Sequence, residues 1–275
     1  MASPHVALDA LEERRMHACR LVPERALATL DDAREFLRDR GMLTLTPDCS
    51  LPSLFGACHE EPYEPGGRGF GSWPKTKWWW GGALAAQAGV FSVPLHRGRG
   101  LFLTEETAAY ADPLCRAELA RADEGDHGDE AQRVVRHLAE AGPAAVEELR
   151  DELAFGAKEL RALRTRLERA GAVVAMDLRV DAKSGGHRHT SELYRWDQIF
   201  PVPLAGPSGL AELVIAGVRA AVVAPEREAR SWFSWPASEA VLEELVETGP
   251  LIRPAAGLVS AAETAFARVP AAPSP

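Results

Sequence analysis

Residues 157–171 read AKELRALRTRLERAG, and Val173–Val180, the tip DAKSGGHRHT at 181–190 and Ser191–Trp196 follow. Leu160, Leu163 and Leu167 fall at i, i+3 and i+7, a single apolar stripe on an α-helix. Gly171 supplies the residue that ends such a helix. The two runs beyond it have strand composition and are joined through Gly185-Gly186, a turn signal. Upstream, Ala131–Ala141 carries Val134, Val135 and Leu138 on one face, Gly142-Pro143 interrupts it, and Ala144–Leu153 presents Val146, Leu149 and Leu153. Three short helices followed by a hairpin with a basic glycine tip is the winged-helix arrangement, predicted here for residues 129–200. Lys158, Arg161, Arg164, Thr165 and Arg169 lie outside the leucine stripe, as on a recognition helix, although Glu159 and Glu168 share or border that surface.

The same order is expected on either side. Toward the C-terminus, helices are predicted over 208–221, 225–231 and 236–248, with Gly249 as a stop and Leu251–Arg253 as the start of a strand. Toward the N-terminus, helices are predicted over 6–18 and 23–40, a strand at Met42–Leu45, short helices near 51–58 and 83–88, and a hairpin from Val90–Leu95 and Leu101–Thr104. A further helix is read from Thr104 to about 122. Three prolines and four glycines make 60–74 irregular, and the polar stretch 123–130, DEGDHGDE, reads as a domain boundary. The fold class expected is mainly α with small β-hairpins, arranged as tandem winged-helix (helix-turn-helix) modules. These would occupy 1–122, with an irregular Trp-rich insertion, then 129–200 and 206–270.

Composition narrows the function classes. The chain has 275 residues, 46% of them hydrophobic, and a formal net charge of −9, which argues against nonspecific coating of nucleic acid. The charge is uneven: residues 112–155 hold twelve acids and five bases, whereas 156–200 hold nine Lys or Arg and six acids. The start, MASPHVALDALEERR, has no apolar run behind a basic patch and is not read as a secretory signal. The most apolar stretch, 210–224, contains Glu212 and Arg219, so no membrane span and a cytoplasmic location are expected. Cysteines at 19, 49, 58 and 115 are too scattered for a disulfide framework. Cys49, Cys58 and His59 could in principle meet a metal, but a zinc site wants four ligands and no Cys-x-x-Cys pair occurs, so free thiols and no metal are expected. No phosphate loop, dinucleotide fingerprint or hydrolase motif is present, and no cofactor is implied.

The order of modules, the middle unit and the phrase FLRDRGMLTLT at 36–46 together resemble the AlkZ-type family. That family is built of tandem winged helices and includes bacterial DNA glycosylases that unhook interstrand crosslinks and excise bulky alkylated purines. The resemblance covers most of the chain in outline, and only the middle unit and this phrase in detail. In active members a Gln-x-Gln or Gln-x-Asp motif follows the helix, glycine and apolar pair; here those positions are Thr44 and Thr46. A carboxylate can accept a proton from water and oppose an oxocarbenium charge, and an amide can orient the water; a hydroxyl does neither well. No catalytic residue is therefore assigned, with Asp48, two residues on, as the possible rescue.

The resemblance implies a double-stranded DNA partner bound without base excision. A divergent glycosylase and a protein-interaction module remain alternatives. Candidate nucleic-acid contacts are Lys75, Lys77, Arg97 and Arg99 in the N-terminal part, then Lys158, Arg161, Arg164 and Thr165 on the third helix. Lys183, His187, Arg188 and His189 on the wing tip complete the set. Trp78, Trp79 and Trp80 cannot all face one side of any regular element. They pack a loop between modules, or at least one is exposed to stack on a base beside the lysines. The tip His96-Arg97-Gly98-Arg99 can equally reach a phosphate backbone or be a solvated turn.

Overall fold

Three times along the chain a helix leads into a short strand, two or three short helical segments and a closing hairpin. The structure, a computed structural model, describes residues 8–181, 187–206 and 209–266. Helix α1 (Leu8–Ala18) precedes the first round. That round comprises α2 (Leu30–Arg40), β1 (Met42–Thr44), 3₁₀ turns at Gly56–Cys58 and Gly69–Ser72, α3 (Trp80–Ala85), β2 (Val90–His96) and β3 (Arg99–Thr104). Long helix α4 (Glu105–Glu124) leads to α5 (Asp129–Ala141), β4 (Ala144–Ala145), α6 (Val146–Glu152), α7 (Ala157–Ala170), β5 (Val173–Asp181) and β6 (His187–Arg195). After α8 (Trp196–Ile199) come α9 (Leu210–Ala221), β7 (Val223–Pro225), α10 (Glu226–Ala229), α11 (Glu239–Glu247), β8 (Leu251–Ile252), β9 (Leu258–Ala261) and α12 (Ala262–Phe266).

Each round closes a three-stranded antiparallel sheet in which the last strand lies in the middle: β1-β3-β2, β4-β6-β5 and β7-β9-β8. Leu43 pairs with Phe102, Ala144 with Leu193 and Ala224 with Val259. The fold is thus mixed and mainly helical, with three short open sheets rather than a barrel.

Local chemistry sets most boundaries. The stripe Leu160, Leu163 and Leu167 is buried, as its spacing requires, and Gly171 ends α7 at φ 86°. Helix α2 starts at Leu30, not at Pro23. The Thr29 hydroxyl accepts from the Asp32 amide while the Asp32 carboxylate accepts from the Thr29 amide at 2.8 Å. This capping box fixes Thr29 as extended backbone and leaves only a 3₁₀ turn at Pro23–Arg25 upstream. Strand β6 begins at His187 rather than Ser191, because ladder pairing uses backbone groups and tolerates polar side chains. The polar break after α4 is a tight turn: Gly125 is left-handed, and its amide donates to the Ala122 carbonyl.

One continuous core runs from Met42 to Ala261, taking in Leu95, Cys115, Leu163, Trp196 and Trp232. Helix α4 is its axis. Buried Asp112 on α4 accepts from Trp196 Nε1 at 2.7 Å, from the Leu204 amide at 3.1 Å and from Arg116 Nε. Arg195 ties the end of β6 to Asp123 at 2.9 Å and to Asp197 at 3.0 Å. The three rounds meet at Gly171, where an added Cβ would stand 2.9 Å from Cys115 Sγ and 3.1 Å from Leu95 and from Trp235. A smaller cluster seats α1 on the third round through Leu11, Cys19, Val222 and Val223. Among the described residues no helix is long and apolar enough to cross a membrane.

Candidate nucleobase-binding cavity

The chain leaves β1 at Thr44, and there the irregular segment begins. The Thr44 hydroxyl is turned inward, donating to the Thr46 carbonyl at 3.0 Å, and Thr44 itself is buried. Its amide donates to Pro52 and its carbonyl accepts from Leu54, so 44–46 lies alongside 52–55. The excursion 60–74, whose one helical turn is a 3₁₀ segment at Gly69–Ser72, is held by cross-chain backbone bonds. The Tyr63 amide donates to the Trp73 carbonyl at 2.7 Å and the Glu64 amide to Gly71 at 2.8 Å. Glu60 anchors its far end, its carboxylate accepting from the Thr76 amide at 2.9 Å and the Lys77 amide at 3.1 Å.

These turns wall a cavity of about 850 Å³ between 44–48, Phe55, Trp73 and Pro74 on one side and His96, Arg99 and Gly100 on the other. That volume lies within the range of pockets that bury small ligands. Part of its lining carries charge. Asp48 is ion-paired with Arg99 through Oδ2 and stands 3.5 Å from His96 Nε2 through Oδ1. Asp48 reaches the cavity with no slip of β1, because the Thr46–Pro47 turn carries the chain around. His96 is buried, and its Nδ1 lies 2.7 Å from the Trp232 carbonyl. Burial holds its pKa below the usual histidine value, against the pull of that carbonyl, so the ring is neutral at neutral pH.

Phe55 and Trp73 make another part of the lining aromatic. Phe55 and Trp73 have ring centroids 5.3 Å apart, as do Trp73 and Phe70, and Phe70 continues to Tyr63 at 5.0 Å and Trp78 at 5.7 Å. Tyr63, Phe70, Trp78 and Trp79 are 43–48% exposed, whereas Trp80 is 5% exposed and belongs to the core of the first round. The tryptophan run therefore divides: Trp80 packs, and Trp78 and Trp79 face solvent.

The basic residues divide too. Lys77 is committed, donating to the Leu27 carbonyl at 2.8 Å and lying 5.2 Å over the Trp80 ring. Arg97 reaches across to the Ser231 carbonyl and to its hydroxyl at 2.9 Å. Arg164 pairs with Glu168 at 3.2 Å, and the Thr165 hydroxyl donates back to the Arg161 carbonyl at 2.9 Å. Lys75, Lys158 and Arg161 are exposed. Lys183 lies outside the described residues; His187, Arg188 and His189 pair on β6 with Asp181, Val180 and Arg179, and their side chains also lie outside what is described.

Two residues have surroundings that the sequence pattern did not indicate. Arg169, on the last turn of α7, packs where a Cβ at Gly98 would come within 3.6 Å, which brings that helix end against the tip of the first hairpin. His96 was read as part of an exposed tip. A shift of register between Val93 and His96 turns both Leu95 and His96 inward, and Pro94 within the strand was the one signal of that irregularity. The cysteine grouping also differs. Cys58 is buried, its thiol pushed up to about 11 by burial, and His59 Nε2 is engaged with the Arg20 carbonyl at 2.7 Å. Cys49 instead joins Asp48 and His96, the ligand atoms of all three lying within 4.8 Å of one another. Comparison of this chain with protein-family models, with curated proteins and with solved structures gives no match, so the functional reading rests on the geometry above.

Proposed function

We propose that the chain is a DNA-binding protein of tandem winged-helix type whose first module receives an unstacked nucleobase in the cavity beside Asp48. The carrying observation is the cavity itself, walled by Phe55 and Trp73, whose aromatic contacts continue through exposed Phe70 to Trp78, and lined with polar groups by Asp48, His96 and Arg99. An unstacked base offers two π-faces for such rings and a hydrogen-bonding edge for such polar groups. A helix, a strand, short helical segments and a closing hairpin recur three times with the same strand arrangement, which supports the winged-helix part of the reading. Exposed Lys75, Lys158 and Arg161 are few against a net charge of −9, so affinity should come from the base more than from phosphates.

The test is an anisotropy titration of the full chain with a labelled duplex, fully paired or carrying one unpaired base, at two salt concentrations. The reading expects the unpaired base to bind at least about tenfold tighter, with a salt slope of only two or three phosphates. Equal affinity for the two duplexes, or none at low salt, removes it; the exposed aromatics would then serve a protein partner.

A second reading, hydrolysis of an N-glycosidic bond, is favoured by one observation: Asp48 places a carboxylate at the cavity wall although Thr44 and Thr46 offer none. A carboxylate there can take a proton from water and oppose positive charge on the sugar. Incubation with DNA carrying alkylated purines, then alkali, would reveal strand cleavage that Asp48→Asn abolishes. Intact strands across several lesions leave the binding reading alone.

A further inference from the structure

We propose that Asp48, Cys49 and His96 form a binding site for a divalent transition-metal ion, zinc above all. Among the described residues, theirs is the one group of three His, Cys, Asp or Glu side chains whose ligand atoms converge. The donor set, one imidazole, one thiolate and one carboxylate, is mixed in hardness and suits zinc better than calcium or magnesium, which take oxygen.

Three features of the geometry point the same way. The Trp232 carbonyl can only accept, so at 2.7 Å it places a proton of His96 on Nδ1 and leaves Nε2 as the ring atom facing Asp48. A backbone carbonyl behind a ligating imidazole is the usual outer partner that orients it toward metal. Next, Nε2 and Asp48 Oδ1 stand 3.5 Å apart. That separation is the edge of a tetrahedron with metal–ligand bonds of about 2.1 Å, which is about 3.4 Å long. Lastly, Arg99 engages Oδ2 of Asp48, so Oδ1 remains for the ion and the carboxylate is held from behind.

Charge balances as well. On binding, the Cys49 thiol loses its proton to solvent as the sulfur–metal bond forms, and the ion sheds all but one of its waters. A thiolate and a carboxylate cancel the two positive charges, so Arg99 faces a neutral complex. Asp48 and His96 line the cavity, whereas Cys49 faces a second depression with Ser50 and Glu228. The ion would lie in the wall of the cavity with its fourth position held by water. This site goes beyond the nucleic-acid reading and stands or falls without it.

Cobalt is the probe, since thiolate-bound tetrahedral Co²⁺ absorbs where aqueous Co²⁺ does not. The full chain, freed of metal with a chelator, is titrated with Co²⁺ and then with Zn²⁺. The expected result is one equivalent of cobalt with a thiolate charge-transfer band, about one proton released, and displacement by zinc. Cys49→Ser should abolish the band, Asp48→Asn and His96→Gln should each weaken binding at least about tenfold, and Cys58→Ser should leave the titration unchanged. Circular dichroism checks each variant; Asp48→Asn, in a loop, keeps the test open should His96→Gln misfold. Absence of a saturable band, or a band that survives Cys49→Ser, overturns the proposal.

Discussion

Replacing Gly171 with alanine probes the joint on which the three rounds depend. Two separable costs arise. Gly171 has φ 86°, a left-handed conformation that costs an alanine about 1–2 kcal/mol. The added Cβ would also stand 2.9 Å from Cys115 Sγ and 3.1 Å from Leu95 Cδ2 and Trp235 Cζ2, three buried or half-buried side chains from three different parts of the core. Overpacking of this kind costs about 1–3 kcal/mol. The sum is about 2–5 kcal/mol. Gly125 is the control, because it is left-handed too, at φ 95° and ψ 4°, and an added Cβ would meet nothing nearer than the flexible Gln132 side chain at 3.6 Å. Gly125→Ala should therefore show the backbone part alone, about 1–2 kcal/mol. Urea unfolding followed by tryptophan fluorescence measures both. If Gly171→Ala is no worse than Gly125→Ala, the rounds do not meet as tightly as described and the shared-core account fails.

Two further outcomes follow from buried polar groups. Asp112→Ala strands Trp196 Nε1, the Leu204 amide and Arg116 at once, and should cost about 3–5 kcal/mol in the same urea assay, with Asp112→Asn intermediate; a loss under about 1 kcal/mol would contradict the assigned network. Acidification should also destabilise the chain through His96. Its folded pKa is depressed by burial while the unfolded ring titrates near 6.5, so below that pH the unfolded state holds a proton that the folded state refuses. Stability is then fully present above about pH 6.5 and falls by up to about 1.4 kcal/mol per pH unit as pH drops toward the folded pKa. His96→Gln should flatten this slope, and an unchanged slope would show that other groups carry it.

Sequence pattern reached furthest where one helix face met one core. Leu160, Leu163 and Leu167 could be assigned from spacing alone because burial of a helix stripe has a fixed period. The start of α2 was lost to a local hydrogen-bond exchange between Thr29 and Asp32, which overrode the apolar residues before it. The site was less legible, for a physical reason. Asp48 and Arg99 are brought together by the pairing of β1 with β3, and His96 is turned inward by an irregularity whose depth depends on Trp232, far along the chain. No local period encodes such partners. Nor does residue type reveal that Lys77 and Arg97 are committed to carbonyl groups while Lys75 and Arg161 are exposed.

The most direct measurement of the central claim is the ratio of affinities for unpaired-base and fully paired duplex, compared between the wild-type chain and Trp78→Ala. Trp78 is 43% exposed, so its removal should leave the fold intact. If an unstacked base stacks on the aromatic side chains that continue from the cavity wall through Phe70 to Trp78, the ratio should fall about 5- to 150-fold, the worth of one stacking contact, while paired-duplex affinity holds. A ratio unchanged by the substitution, or affinities for both duplexes falling together, contradicts the account.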